Sequence, residues 1–225
     1  MKHSHDENSA HPKGHSNSHP PIDCPMHDRK SGHHHRPFKS VEEYIAHLDR
    51  EERDQWQKPD AVVSALKLNG TETLADVGAG SGYFSFRFAK ALPNGKVVAL
   101  DIEPEMIAHM NKRAVEEEIE NFTAVVSSPD DPKVPSSADW VFICDVLHHV
   151  SEPEAWLSRL GGQLRSGAKV AIIEFKQGEL PIGPPEWMKI SPERFVELME
   201  GTGFAMTSRN DDLLPYQHLF VFTRD

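Results

Sequence analysis

A chain of 225 residues with formal net charge −11 and two cysteines has room for one α/β domain, an extension and a sizeable core. The first 36 residues are nearly balanced in charge, so the acidity sits in the remainder; this argues against a nucleic-acid partner and fits a small or cationic ligand. There is no run of 18 apolar residues and no apolar core near the N-terminus, so neither a membrane span nor a secretory signal is expected, and a cytoplasmic location is the default reading.

In chain order, residues 1–37 come first. They hold nine of the fourteen histidines, spaced by Pro, Ser, Gly and Asn, and bury too little apolar surface to offset ordering, so a disordered tail is expected. Imidazole and thiol donors suit Zn, Ni or Cu, which makes Cys24, His27, His33, His34 and His35 the candidate metal ligands. The stretch "CPMH" resembles the Cys-Pro-Met-His core of short heavy-metal-binding segments. No CxxC pair or paired histidine spacing closes a zinc site, so the binding expected is weak, multi-site and lost as the imidazoles protonate. An inert polar tail is the alternative. Cys24 lies in this polar tail and Cys144 in an apolar run, which argues against a structural disulfide.

The ordered domain is expected over 38–225, with lid helices over 38–68. "SVEEYIAHL" has a capping-box spacing from Ser40 to Glu43, "QWQKPD" breaks that helix at Pro59, and "DAVVSALKL" forms a second helix. Tyr44, Arg50, Arg53, Trp56 and Lys58 are the lid side chains that could cover a site, Trp56 either as a cover or simply as a docking residue. From Thr71 strands and helices alternate. The strands are "ETLADVG", "KVVALD", "FTAVVS", "DWVFICDVL", "AKVAIIEF", "FAMTSRN" and "HLFVFTR". The helices between them include "GYFSFRFAKAL", "PEMIAHMNKRAVEEE", "SEPEAWLSRLGGQL" with Ser151 and Glu154 at capping-box spacing, and "SPERFVELMEGTGF" with Ser191 as cap. Nearly continuous apolar strands alternating with helices predict an α/β, Rossmann-like, doubly wound sheet of seven strands over 71–225. It should be mostly parallel with the last strand antiparallel, and its ligands should bind beyond the carboxyl ends of the strands.

The first strand runs into "ADVGAGSGYF". The glycines stand at 78, 80 and 82, whereas the dinucleotide fingerprint wants its third glycine where Tyr83 stands. Asp76 beside the loop would repel a pyrophosphate and attract a cation. Both features speak against a nicotinamide oxidoreductase. The stretch resembles the glycine-rich first motif of the class I S-adenosylmethionine-dependent methyltransferases, and the likeness extends over about residues 60–223. The resemblance implies that Gly78, Ala79, Gly80, Gly82 and Asp76 hold the methionyl part of S-adenosylmethionine. Asp101, ending the second strand, can accept from two ribose hydroxyls, with Ile102 on the adenine face; a helix cap is its blander role. Asp130 in "SSPDDPKVP" is the choice for the adenine amino group, with Asp131 close behind and a plain turn as the alternative.

After the fourth strand, "FICDVLHHVSEP" resembles the acid followed by His-His of small-molecule methyltransferases similar to the quinone-biosynthesis type. Asp145, His148 and His149 are the candidate reaction-centre residues, either histidine being a possible base or a pocket-shaping group. Glu174, Tyr83, Tyr216, Gln217 and His218 are further positions that could border the pocket. The implied function is methyl transfer to a small molecule, carried mainly by in-line positioning. The competing reading is a non-catalytic metal-binding protein that uses the fold as a scaffold for its tail. Arsenite methyltransferases, which resemble this fold, use several thiolates; Cys144 alone in the domain argues against an arsenic acceptor.

Overall fold

The computed structural model describes residues 40–225. The readings made for the tail, disorder over 1–37 and metal ligation by Cys24, His27, His33, His34 and His35, lie outside the described residues.

Three helices precede the sheet: α1 (Val41–Leu48), α2 (Glu52–Gln57) and α3 (Pro59–Leu66). Two were expected. Ser40 caps α1, its side chain accepting from the Glu43 amide at 3.2 Å. The first helix then ends at Asp49, and α2 starts after a turn. Lys58 in the left-handed region (φ 41°) separates α2 from α3 and lets Pro59 open the next helix, where its missing N–H costs nothing. The expected break is therefore at the right place but is a corner between helices.

The sheet contains β1 (Thr73–Val77), β2 (Lys96–Asp101), β3 (Phe122–Val126), β4 (Trp140–Cys144), β5 (Lys169–Phe175), β6 (Phe204–Asn210) and β7 (Gln217–Arg224). Their order is β3-β2-β1-β4-β5-β7-β6, with β7 antiparallel to both neighbours and all other pairs parallel. Chain order runs outward from β1 in one direction and from β4 in the other, so the switch point lies between these two strands. The helices α4 (Ser85–Ala91), α5 (Pro104–Glu116), α6 (Pro153–Gln163) and α7 (Pro192–Glu200) cover the faces. Ser191 caps α7 by accepting from the Arg194 amide. Ser151 does not cap α6: Pro153 at the first helical position moves the cap to Glu152, which makes no side-chain bond.

Side chains alternate across the strands into two cores. Leu74, Phe142, Ala171 and Leu219 belong to the core that includes α3, α4 and α5 residues; Ala75, Val141, Ile172 and Phe220 belong to the one that includes α6 and α7 residues. This parity decides which strand-end polar groups can meet. No helix among the described residues is long and apolar enough to cross a membrane.

Candidate active site

At the carboxyl ends of β1 to β5 lies one continuous cavity of about 740 Å³, within the size range of small-molecule sites. One end of it is lined by Gly78, Ala79, Gly80, Asp101, Ile102 and Asp130, with Met106 and Ser128 beside them.

The glycines of the loop have positive φ, a backbone conformation that L side chains rarely adopt. At Gly78 (φ 74°) a Cβ would lie 2.3 Å from a Val146 methyl; at Gly80 (φ 57°) it would meet Leu48 of α1 at 3.1 Å. The loop thus sits between the end of β4 and the lid. Its amides are organised by β2: Gly78 and Ala79 both donate to the Leu100 carbonyl, and Gly80 donates to Asp101 Oδ2 at 2.7 Å. Asp101 Oδ1 accepts from the Glu103 amide at 3.0 Å, so the acid also shapes the start of α5. The Asp101 carboxylate lines the cavity at this point.

Asp130 and Asp131 divide the roles considered for them. Asp131 Oδ1 accepts from the Lys133 amide and from Gln163 Nε2, and the amide bond holds its carboxyl below the usual range; it is a turn residue. Asp130 is exposed and lines the cavity.

Asp76 and Gly82 do not line the cavity. β1 parity turns Asp76 toward α4, where it accepts from Ser85 Oγ, and burial pushes its carboxyl up to about 7. It therefore supports the loop from behind. A Cβ at Gly82 would strike the Phe86 ring at 2.5 Å, so this glycine serves the packing of α4. Tyr83 also points away: its hydroxyl donates to Asp54 of α2, and its ring lies under the guanidinium of Arg53 at 3.9 Å and that of Arg87 at 4.4 Å. It fastens the lid to α4.

The other end of the cavity is lined by Trp56, Cys144, Asp145, Val146, His149 and Phe175. Trp56 of α2 packs against Phe175 with ring centroids 6.1 Å apart. Arg50, Arg53 and Tyr44 also reach the cavity, whereas Lys58 donates to the Leu213 carbonyl outside it. The two histidines part company. His149 lines the cavity. His148 is buried behind it, its Nδ1 2.7 Å from Glu174 Oε2, and its ring lies tilted against that of His149, with centroids 4.3 Å apart. Glu174 Oε1 in addition accepts from the Leu147 amide, so the short turn Leu147–His149 is tied to the end of β5.

Asp145 lies in the left-handed region at φ 60°. Its Oδ1 accepts from Gln217 Nε2 at 2.6 Å and its Oδ2 from Gln57 Nε2 at 3.1 Å. Burial, with the neighbouring Glu174 charge, pushes its carboxyl up to about 6. Burial likewise raises the Cys144 thiol well above its ordinary value, so it is a neutral thiol. Gln57, fully buried on α2, was not singled out from the sequence. A glutamine in a charged hexapeptide carries no periodic signal; its importance lies in what it meets. Tyr216 and His218 are not cavity-lining: His218 Nδ1 pairs with Asp211, and burial lowers its basicity. No group of three or more His, Cys, Asp or Glu among the described residues is placed to hold a metal ion.

Comparison with known proteins accords with this geometry. Residues 75–170 match the family described as a methyltransferase domain. An uncharacterised methyltransferase of Mycobacterium tuberculosis is 30% identical over 116 residues, 52% of this chain and 57% of that protein. The aklanonic acid methyltransferase of a Streptomyces species is 28% identical over 130 residues, 56% of this chain and 59% of that protein. The matched stretch thus spans little more than half the length of these curated relatives. The crystal structure of a SAM-dependent methyltransferase from Aquifex aeolicus superposes with TM-score 0.76 at 24% identity, over 83% of this chain and 99% of that one, which shows a shared fold.

Proposed function

We propose that the chain is a class I S-adenosylmethionine-dependent methyltransferase that transfers a methyl group from S-adenosylmethionine to a small-molecule acceptor, a reading supported by the methyltransferase-domain match over 75–170 and the shared fold. The observation that carries this reading is the single cavity running from Asp101 and Asp130, across the glycine loop, to Asp145 and His149. Its first end fits a nucleoside. Asp101 presents carboxylate lone pairs to a ribose diol, Asp130 reaches the exocyclic amine of a purine, and Ile102 and Met106 offer apolar area to its face. The bare Gly78–Gly80 backbone lets the amino-acid portion come close.

When bound, S-adenosylmethionine supplies a methyl group already activated on a sulfonium. What remains for the chain is to align an acceptor, remove its proton and keep water out. Trp56 and Phe175 form an aromatic wall for a planar acceptor. His149 stands in the same chamber and takes the proton released as the acceptor atom bonds to the methyl carbon. His148 acts through the Glu174 pair to hold the turn that carries His149. Asp76 acts through Ser85 and the loop.

Calorimetry with S-adenosylmethionine and S-adenosylhomocysteine, followed by an acceptor screen that reads S-adenosylhomocysteine release, tests the proposal. Uptake of both nucleosides and turnover with at least one hydroxylated planar acceptor is the expected result. Failure to take up either nucleoside overturns it, and binding of Ni, Cu or Zn by the same material would then favour the metal-scaffold reading.

A further inference from the structure

We propose that Gln57 is a positioning residue that latches the lid to the reaction centre, so that closure of α2 and orientation of the Asp145 carboxylate are one event; the reaction centre is the one proposed above. The sense of each hydrogen bond follows from its partners. Gln57 Oε1 accepts from Arg53 Nε at 2.6 Å, which leaves its Nε2 as the donor group facing the core. That amide donates to Asp145 Oδ2 at 3.1 Å and lies 2.9 Å from Cys144 Sγ and 3.2 Å from Gln217 Oε1. Gln217, with its carbonyl turned to Gln57, must present its own Nε2 to Asp145, and does so at 2.6 Å. The result is a directed chain from Arg53 through Gln57 to Asp145, met from the other side by Gln217 of β7.

Gln57 and Gln217 are both fully buried, so neither amide has water as a substitute partner. The acceptor they share is the cavity-lining residue at the end of β4, whose backbone is in the left-handed region at φ 60°, which aspartate enters more readily than most residues. Moving α2 outward would strip one donor from the carboxylate and leave a buried amide unpaired. Conversely, protonating Asp145 would turn an acceptor oxygen into a donor opposite another donor. The charged and titratable groups around Asp145 are Glu174 and His148 on one side, Arg53 on the lid and Cys144 beside it. Removing the Gln57 amide while keeping these should make Asp145 harder to ionise.

The test uses the full chain and needs no acceptor or cofactor, so it can fail independently of the methyl-transfer reading. Carboxyl-carbon NMR on aspartate-labelled protein gives the Asp145 midpoint, with Asp145→Asn identifying the resonance; hydrogen exchange gives the protection of residues 52–57. Gln57→Met, similar in volume but without donors, should raise the Asp145 midpoint by roughly one, a tenfold change in proton affinity, and lower protection of α2. Gln217→Met removes the other donor and should raise the midpoint while α2 stays better protected than in Gln57→Met. Should Gln57→Met not fold, unaltered protein serves: α2 protection, corrected for intrinsic exchange, should fall as pH drops through the Asp145 midpoint, and Asp145→Asn should abolish that dependence. An unchanged Asp145 midpoint in Gln57→Met, or α2 protection that ignores Asp145 ionisation, overturns the proposal.

Discussion

Asp101→Asn probes the nucleoside end of the cavity most directly. The wild-type carboxylate serves two backbone donors with separate oxygens, Gly80 N–H on Oδ2 and Glu103 N–H on Oδ1. Asparagine has one oxygen, so whichever way its amide turns, an NH2 faces one of those N–H groups. One charge-assisted bond, worth about 1.5–3 kcal/mol, is lost, and a donor is set against a donor. The lone pair offered to one ribose hydroxyl disappears with it. The Gly80 amide lies inside the loop that approaches the ligand, so the strain and the lost ligand bond fall on the same site. A loss of about 1.5–3 kcal/mol in binding corresponds to roughly 10- to 150-fold weaker uptake. Calorimetry with S-adenosylhomocysteine measures this, and unfolding in urea separates it from any general destabilisation. An unchanged dissociation constant in a folded Asp101→Asn protein would refute both the ribose assignment and the role of β2 in shaping the loop.

Three further outcomes are expected. Gly78→Ala sets a methyl against Val146 and forces alanine into φ 74°; left-handed backbone costs about 1–2 kcal/mol and overpacking about 1–3 kcal/mol, so a double-mutant cycle with Val146→Ala in urea unfolding should recover only the second part. Asp76 has a folded-state carboxyl raised to about 7, so the folded state binds its proton more tightly than the unfolded state. Its favourable contribution is therefore complete below about pH 4 and is lost as pH rises through 7. Asp76→Asn, which still accepts from Ser85, should accordingly gain stability over wild type on going from pH 5 to pH 8, by an amount on the order of a few kcal/mol, read as the pH dependence of the difference in Tm. His149→Ala should lower turnover with little change in nucleoside affinity or Tm. His148→Ala should instead cost stability, on the order of 1–3 kcal/mol, because the buried Glu174 Oε2 loses its partner at Nδ1 while Oε1 keeps the turn amides; equal Tm losses in the two variants would contradict the division of roles.

How far the site was legible depends on the kind of signal each residue carries. That Gly78, Gly80, the acid at the end of β2 and the acid Asp130 line the cavity follows from local features: a backbone conformation, a strand end, a turn. Asp76 and Gly82 are assigned to the ligand by proximity in sequence, and Tyr83 is offered as a position that could border the pocket or simply pack, yet strand parity and the start of α4 direct them to Ser85, Phe86 and Asp54. The adjacent histidines were indistinguishable in the sequence. The short turn after β4 separates them, one into the chamber and one onto Glu174. Gln57 had no signal, because its core-facing partners lie 87, 88 and 160 residues away.

Alternating apolar strands and helices, glycines where the backbone turns left-handed, and capping serines at α1 and α7 are consequences of short-range sterics and hydrogen bonding, and these the amino-acid sequence determined unaided. The placing of α2 over the mouth of the cavity, the meeting of Gln57 and Gln217 on one carboxylate, and the choice of which histidine faces the chamber were decided only by tertiary structure. The physical reason is range: a backbone dihedral is set by its neighbours, whereas a buried polar group is satisfied by whatever partner the packing of distant segments brings to it.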